Sequence, residues 1–225
     1  MSLWEQTLAW LLAPETWTGR GNVLQRLSEH LAITLGVVGL AALLALPLGI
    51  VIGHQRRGGG LVVVLAGAAR AIPTLGLLTL FALALGIGLG APVLALVVLA
   101  VPPILAGAYS GVMATDPITI DAARAVGRSE LQIVRSVELP LAAPVIWGGL
   151  RSATLQVVAT ATLAAYIADA GLGRYIFSGL KSREYGELVG GSLLLVALAL
   201  VLDSMFVLIQ RVTAKTALPT QRSNS

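Results

Sequence analysis

The chain has 225 residues, 56% of them hydrophobic and 12% charged, with a mean hydropathy of +0.88. A soluble domain carries about 25% charged residues, so the composition excludes a disordered protein, argues against an ordinary soluble enzyme and points to a polytopic membrane protein. There is no cysteine, which excludes disulfides, thiolate metal sites and cysteine nucleophiles. The two histidines, His30 and His54, lie far apart in sequence, which argues against a histidine-rich metal centre. In so apolar a chain the net charge of +4 belongs to loops beside anionic lipid rather than to nucleic acid.

Residues 1–30 carry charges throughout and lack the compact apolar core of a cleavable signal peptide. Trp4, Trp10 and Trp17 suit a membrane interface as belt anchors. Val23, Leu24, Leu27 and Leu31 share one helical face and predict an amphipathic lead-in over residues 22–31. Five apolar segments follow: Leu31–Gly53, Leu61–Gly88 with Arg70 and Pro73 inside it, Ala91–Val112 with Pro102 and Pro103, then about 141–168 with Arg151, and about 188–210 with Asp203. Each reaches the ~20 residues that cross a bilayer as a helix. Continuous apolarity, without alternation, argues against strands. The fold class expected is therefore all-α and polytopic, with about five transmembrane helices. Small residues favour close helix packing, and Gly49 with Gly53 forms one GxxxG pair. His30 and His54 fall at span ends and are expected at the interface.

Placing residues 54–60, 113–140 and 211–225 inside gives that side Arg56, Arg57, Arg124, Arg128, Arg135, Arg211, Lys215 and Arg222. The other side then holds only Arg20, Arg26, Arg174, Lys181 and Arg183. The bias predicts the N-terminus outside and the C-terminus in the cytoplasm. The organisation expected is an outer interfacial segment 1–30, a membrane domain 31–210, and a cytoplasmic tail 211–225.

Arg70, Arg151 and Asp203 lie within spans, where charge is expensive and faces protein or a water-filled path. Arg151 and Asp203 stand at similar depths, roughly 12–15 Å from the inner face at ~1.5 Å per residue. They either pair with each other or bond separately. Pro73 and the Pro102-Pro103 pair either mark flexing points of a pathway or make static kinks.

Residues 113–140 are the one long polar stretch with a regular pattern. Asp116 can cap a helix with Pro117 in its first position. Ile118–Val126 reads as helix, and Gly127 as the left-handed residue ending it. Ser129 and Gln132 form a capping box for a second short helix that stops before Pro140.

This loop resembles the EAA signature of binding-protein-dependent ABC importer permeases: Asp121-Ala122-Ala123, then Gly127 after three intervening residues, then Val137, Leu139 and Pro140 at the family's spacings. Asp for Glu and Val for Ile are conservative departures. The resemblance implies that 113–140 is a coupling helix loop seated in a cytoplasmic ATPase dimer. A second permease subunit would complete the pathway, and an extracytoplasmic substrate-binding protein would deliver cargo. It also implies a multi-pass inner-membrane permease that is not an enzyme and binds no cofactor itself, ATP and magnesium being held by the ATPase. Arg70 to Leu75, Pro102-Pro103-Ile104 and Ala168 to Gly173 are similar to permeases of osmoprotectant importers, which carry glycine betaine, carnitine or choline. Arg70, Pro73, Arg151 and Asp203 are the candidate pathway or intramembrane polar residues.

An amino-acid or methionine permease shares this architecture. An ion-coupled secondary transporter or channel would explain the spans but not the spacing in the loop. The letters of Gly86 to Ala91 fit a dinucleotide fingerprint, but no strand precedes them and no acidic residue follows, so they read as a tight extracellular turn. No GxxxxGK[ST], GxSxG or HExxH occurs.

Overall fold

The structure is a computed structural model. It describes residues 1–217, excluding the side chains of Leu65, Ala69, Arg70 and residues 215–217. Residues 218–225 of the expected tail, Arg222 among them, thus lie outside the described residues, as do the side chains of Arg70 and Lys215. Among the described residues all regular structure is helical. Four helical stretches are long and apolar enough to cross a membrane: Val23–Gln55, Gly90–Met113, Glu130–Ala168 and Tyr185–Ala214.

α1 (Leu3–Leu12) starts at a capping box in which the Ser2 hydroxyl takes the Glu5 N–H and Glu5 takes the Ser2 N–H. The short α2 (Pro14–Trp17) follows. α3 (Val23–Gln55) joins the amphipathic lead-in and the first apolar segment into one helix. The second apolar segment is not one continuous helix. It is split into α4 (Gly59–Ala71) and α5 (Thr74–Leu85). Pro73 pushes the preceding Ile72 out of helical geometry and has no N–H to extend a ladder, so the helix ends and a new one begins. Gly86 and Gly88, both at positive φ, then make the turn into α6 (Gly90–Met113).

α7 (Pro117–Ala125) and α8 (Glu130–Ile133) are the two loop helices. The second does not stop before Pro140. A π-helical turn, Val134–Glu138, carries it into α9 (Leu139–Thr160), with the Leu139 N–H donating five residues back to Val134. The wider turn accommodates a proline that would break an ordinary ladder at this point. A 3₁₀ turn and α10 (Ala164–Ala168) complete that stretch; α11 (Gly173–Ser182) and α12 (Tyr185–Ala217) follow.

The chain forms two compact units. One comprises Met1–Leu40, Ala71–Ala100 and Thr154–Leu202. Val23, Leu172 and Tyr175 form a core there with Trp10 and Leu27. Trp10 thus turns inward, edge-on to Tyr175 at 5.0 Å, instead of serving as a belt anchor. The Tyr175 hydroxyl donates to the Gly21 carbonyl at 2.7 Å, and burial pushes its pKa up to about 12, so it stays a neutral donor. His30 is fully buried, contrary to the interfacial expectation, because Nε2–H donates to the Val158 carbonyl at 3.0 Å and satisfies the ring's donor internally. The loop after α10 is held by α3. Arg26 bonds the Asp169 carbonyl and stands 3.5 Å from its carboxylate, while Glu29 accepts the Gly171 N–H at 3.0 Å.

The other unit comprises Ala41–Arg70, Val101–Ala153 and, among the described residues, 203–217. Glycine sets its spacing. A Cβ on Gly49 would stand 2.6 Å from that of Ala108, and one on Gly53 2.8 Å from that of Val112, so the GxxxG face of α3 lies against α6. On α6, Gly107 meets Gly149 of α9: a Cβ on Gly107 would fall 2.8 Å from the Gly149 Cα.

Candidate coupling and intramembrane polar sites

The loop between α6 and α9 is built by local rules. Asp116 accepts the Ile118 N–H at 2.9 Å, capping α7, with Pro117 beside it where no N–H is needed. Gly127 has φ +82°, a left-handed conformation. Ser129 caps α8 and its N–H donates to the Gln132 side chain at 2.8 Å. A small apolar core then fixes the two short helices against each other: Ile120, Ala123 and Ile133 are buried, and Val137 packs on them.

The motif residues therefore divide by job. Ala123 and Val137 hold the loop together. Asp121 and Ala122 lie on the exposed side, as do Ile118, Val126 and Leu131. Gly127 makes the corner, and Leu139 and Pro140 open α9. Arg124 draws the helices together with paired bonds to Glu130 at 2.8 and 3.0 Å and one to Asp121 at 3.1 Å. These carboxylates, Glu130 first, raise the Arg124 pKa and keep it charged.

Arg151 and Asp203 pair. Arg151 Nε and Nη2 donate to the two carboxylate oxygens at 2.6 and 2.9 Å, the parallel fork that guanidinium geometry favours. Pro73 immediately precedes the second half of the split segment, α5, and Arg70 is the penultimate residue of the first half, α4. Within α6, Pro103 has no N–H for the Leu99 carbonyl, and Gln156 of α9 approaches that carbonyl at 3.5 Å.

Two functional candidates escape sequence reasoning. His54, expected at an interface, sits between two carboxylates: Nδ1 is 2.8 Å from Glu138 and Nε2 is 3.2 Å from Glu130. Glu138 is 1% exposed. The partners are 84 positions apart, so no local pattern pairs them. The one available signal is that Glu138 is the acid inside the Val137–Pro140 motif.

Residues 45–217 match the family model described as the binding-protein-dependent transport system inner membrane component. The chain is 35% identical over 194 residues to a choline transport system permease protein, OpuBB, of Bacillus subtilis, covering 86% of this chain and 89% of that protein. It is 33% identical, with the same coverage, to the glycine betaine/carnitine/choline transport system permease protein OpuCB of the same organism. An osmoprotectant import permease protein, OsmW, of Salmonella typhimurium is 31% identical over 183 residues, covering 78% of this chain and 84% of that one. The fold is similar to that of a methionine ABC transporter, MetNI, solved in inward-facing conformations, with a TM-score of 0.74 at 24% identity over 84% of this chain and 95% of that one. The chain belongs to the family of binding-protein-dependent transport system inner membrane components, and it is a permease.

Proposed function

We propose that this permease carries an osmoprotectant of the quaternary-amine class, such as glycine betaine, carnitine or choline, in an ATP-driven importer. The observation that carries this reading is the 33–35% identity, across 86% of the chain, to permeases named for those solutes. Residues 113–140 dock on a cytoplasmic ATPase dimer. Ile118, Val126 and Leu131 are exposed apolar side chains that such a partner would cover. A second permease subunit, identical or homologous, completes the pathway, and an extracytoplasmic binding protein delivers the solute. The chain performs no bond chemistry and binds no cofactor; ATP and magnesium belong to the ATPase. Its N-terminus is outside and its C-terminus cytoplasmic. Arg70, Pro73, Arg151 and Asp203 belong to the pathway or its supports, and ATP-driven closure tilts the spans as rigid bodies through the loop.

The test is uptake in proteoliposomes holding this permease with an ATPase and a binding protein from the same organism. Radiolabelled choline, glycine betaine and carnitine are compared with methionine and histidine. ATP-dependent uptake of a quaternary amine is expected. Uptake of an amino acid alone would replace the proposal with the amino-acid reading.

A further inference from the structure

α1 has ten residues, about 15 Å at 1.5 Å per residue, and is too short to cross a bilayer. It nevertheless turns large apolar side chains away from the protein. Trp4, Leu8 and Leu12 follow one another at one-turn spacing on one face and are 64%, 56% and 78% exposed. The opposite face is fixed to the fold. Thr7 is buried, and Trp10 packs edge-on to Tyr175. A Cβ on Gly186 of α12 would stand 2.7 Å from the Gln6 carbonyl oxygen, and one on Gly190 would run into the Trp10 ring. Rolling α1 to hide its apolar stripe would expose Trp10 and part Gln6 from Gly186.

The same contacts set the level of α1 along α12. Gly186 and Gly190 lie in the first two turns of α12, where the apolar segment from about 188 begins. This helix is one of those long and apolar enough to cross a membrane, and its exposed Leu193, Val196 and Leu200 follow within the next turns. α1 therefore sits at the rim of an apolar belt. Its backbone is also arranged for a dry neighbour. The last carbonyls of a helix have no partner within it and ordinarily meet water. Here the Trp10 carbonyl accepts the Thr16 hydroxyl at 2.6 Å, and the Leu11 carbonyl accepts the Trp17 indole N–H at 2.7 Å. At the other end the Ser2–Glu5 capping box takes up two N–H groups. Hydrocarbon offers no hydrogen bonds, so backbone that meets it has to be satisfied internally.

We propose that α1 is a membrane-surface foot, with Trp4, Leu8 and Leu12 inserted among the lipid chains of the leaflet that borders the start of α12. In the orientation proposed above this is the outer leaflet. Indole rings favour that depth. Through Trp10 the foot bears on the core of Val23, Leu172 and Tyr175, and so holds the ends of α3, α11 and α12 at the membrane surface.

The chain has no cysteine, so Leu8→Cys, Leu12→Cys and Arg20→Cys each carry a spin label without background. The full chain is placed in nanodiscs of phosphatidylethanolamine and phosphatidylglycerol. Labels at 8 and 12 should collide with oxygen, which concentrates in lipid, and be shielded from a water-soluble nickel chelate. The label at 20, in the exposed turn after α2, should show the reverse. Shielding of 8 and 12 from both reagents marks a protein cover, such as a second copy of the chain, and overturns the proposal. Nickel access at 8 and 12 equal to that at 20 overturns it as well.

A second measurement uses the wild-type chain. Arg20 is the first Lys or Arg in the sequence, so trypsin releases α1 and α2 together as residues 1–20. A carbene reagent dissolved in the bilayer should label that peptide. An unlabelled 1–20 peptide beside labelled peptides from the spans overturns the proposal even if the cysteine variants fold poorly.

Discussion

Arg151 of α9 and Asp203 of α12 face each other through two parallel bonds of 2.6 and 2.9 Å, closing a link between helices whose sequence positions are 52 apart. Each side chain is about one third exposed in the isolated chain, Arg151 35% and Asp203 27%. The pair is thus neither a surface ion pair nor a fully buried one. Removing one partner strands a charge in an apolar span and lowers stability. Arg151→Leu and Asp203→Leu should each lower thermal stability in detergent. The double change should recover most of the loss, because no charge is left unpaired. A coupling energy near zero in that cycle contradicts the role assigned to the pair. Recovery of stability without recovery of uptake would assign it to the pathway as well.

Gly127 occupies the corner between α7 and α8 at φ +82°, with open space where a Cβ would go. Its requirement is conformational, not steric. A β-branched residue resists the left-handed region, at about 1–2 kcal/mol, and asparagine tolerates it better. Gly127→Val should lower ATP-dependent uptake while leaving membrane insertion intact, and Gly127→Asn should retain most of it. Equal uptake by both variants at equal expression would remove the corner from the coupling argument.

Gly107 and Gly149 let α6 and α9 touch backbone to backbone. A Cβ on Gly149 would lie 2.8 Å from the Pro103 carbonyl oxygen and 3.0 Å from the Gly107 Cα. Neither obstacle is the end of a flexible side chain, so the helices themselves must separate. Gly149→Leu should therefore cost more stability than Gly60→Leu, where nothing lies within 4 Å of the new Cβ. Thermal melts of the two variants in the same detergent give the comparison, and equal melting temperatures would refute it.

Much of this was readable from residue order because the deciding interactions are local. The interiors of four spans followed from unbroken apolarity, and α7 and α8 from caps at Asp116 and Ser129 with a glycine between. Pro73 marked a break, but length alone suggested one continuous helix where the chain makes two short ones. Pro140 misled in the opposite direction: a π-helical turn absorbs it, and local rules place no such turn in advance. The equal depth of Arg151 and Asp203 was legible; their pairing needed the helices side by side. The contacts of His30 and His54 were not legible, because both look like span-end residues. Their partners, the Val158 carbonyl and the Glu130 and Glu138 carboxylates, become neighbours only after folding.

Gly171 is the position where two demands coincide. Its φ of +77° disfavours any side chain, and a Cβ there would stand 2.9 Å from His30 Nδ1 and 3.3 Å from the His30 Cβ. His30 cannot retreat without releasing the bond from Nε2 to the Val158 carbonyl, and the ring is fully buried. The loop cannot retreat either, since Glu29 holds the Gly171 N–H and Arg26 holds Asp169. Gly171→Ala should therefore carry both the left-handed strain and the clash, about 2–4 kcal/mol together. Relieving the clash alone separates the two. In a His30→Ala background the ring is gone and only the looser 3.3 Å approach to the Cβ of residue 30 remains, so Gly171→Ala should cost mainly the conformational part, about 1–2 kcal/mol. The measurement is a double-mutant cycle of thermal stability in one detergent. Strictly additive losses would show that His30 and Gly171 do not press on each other, and that α3 holds this loop through Arg26 and Glu29 alone.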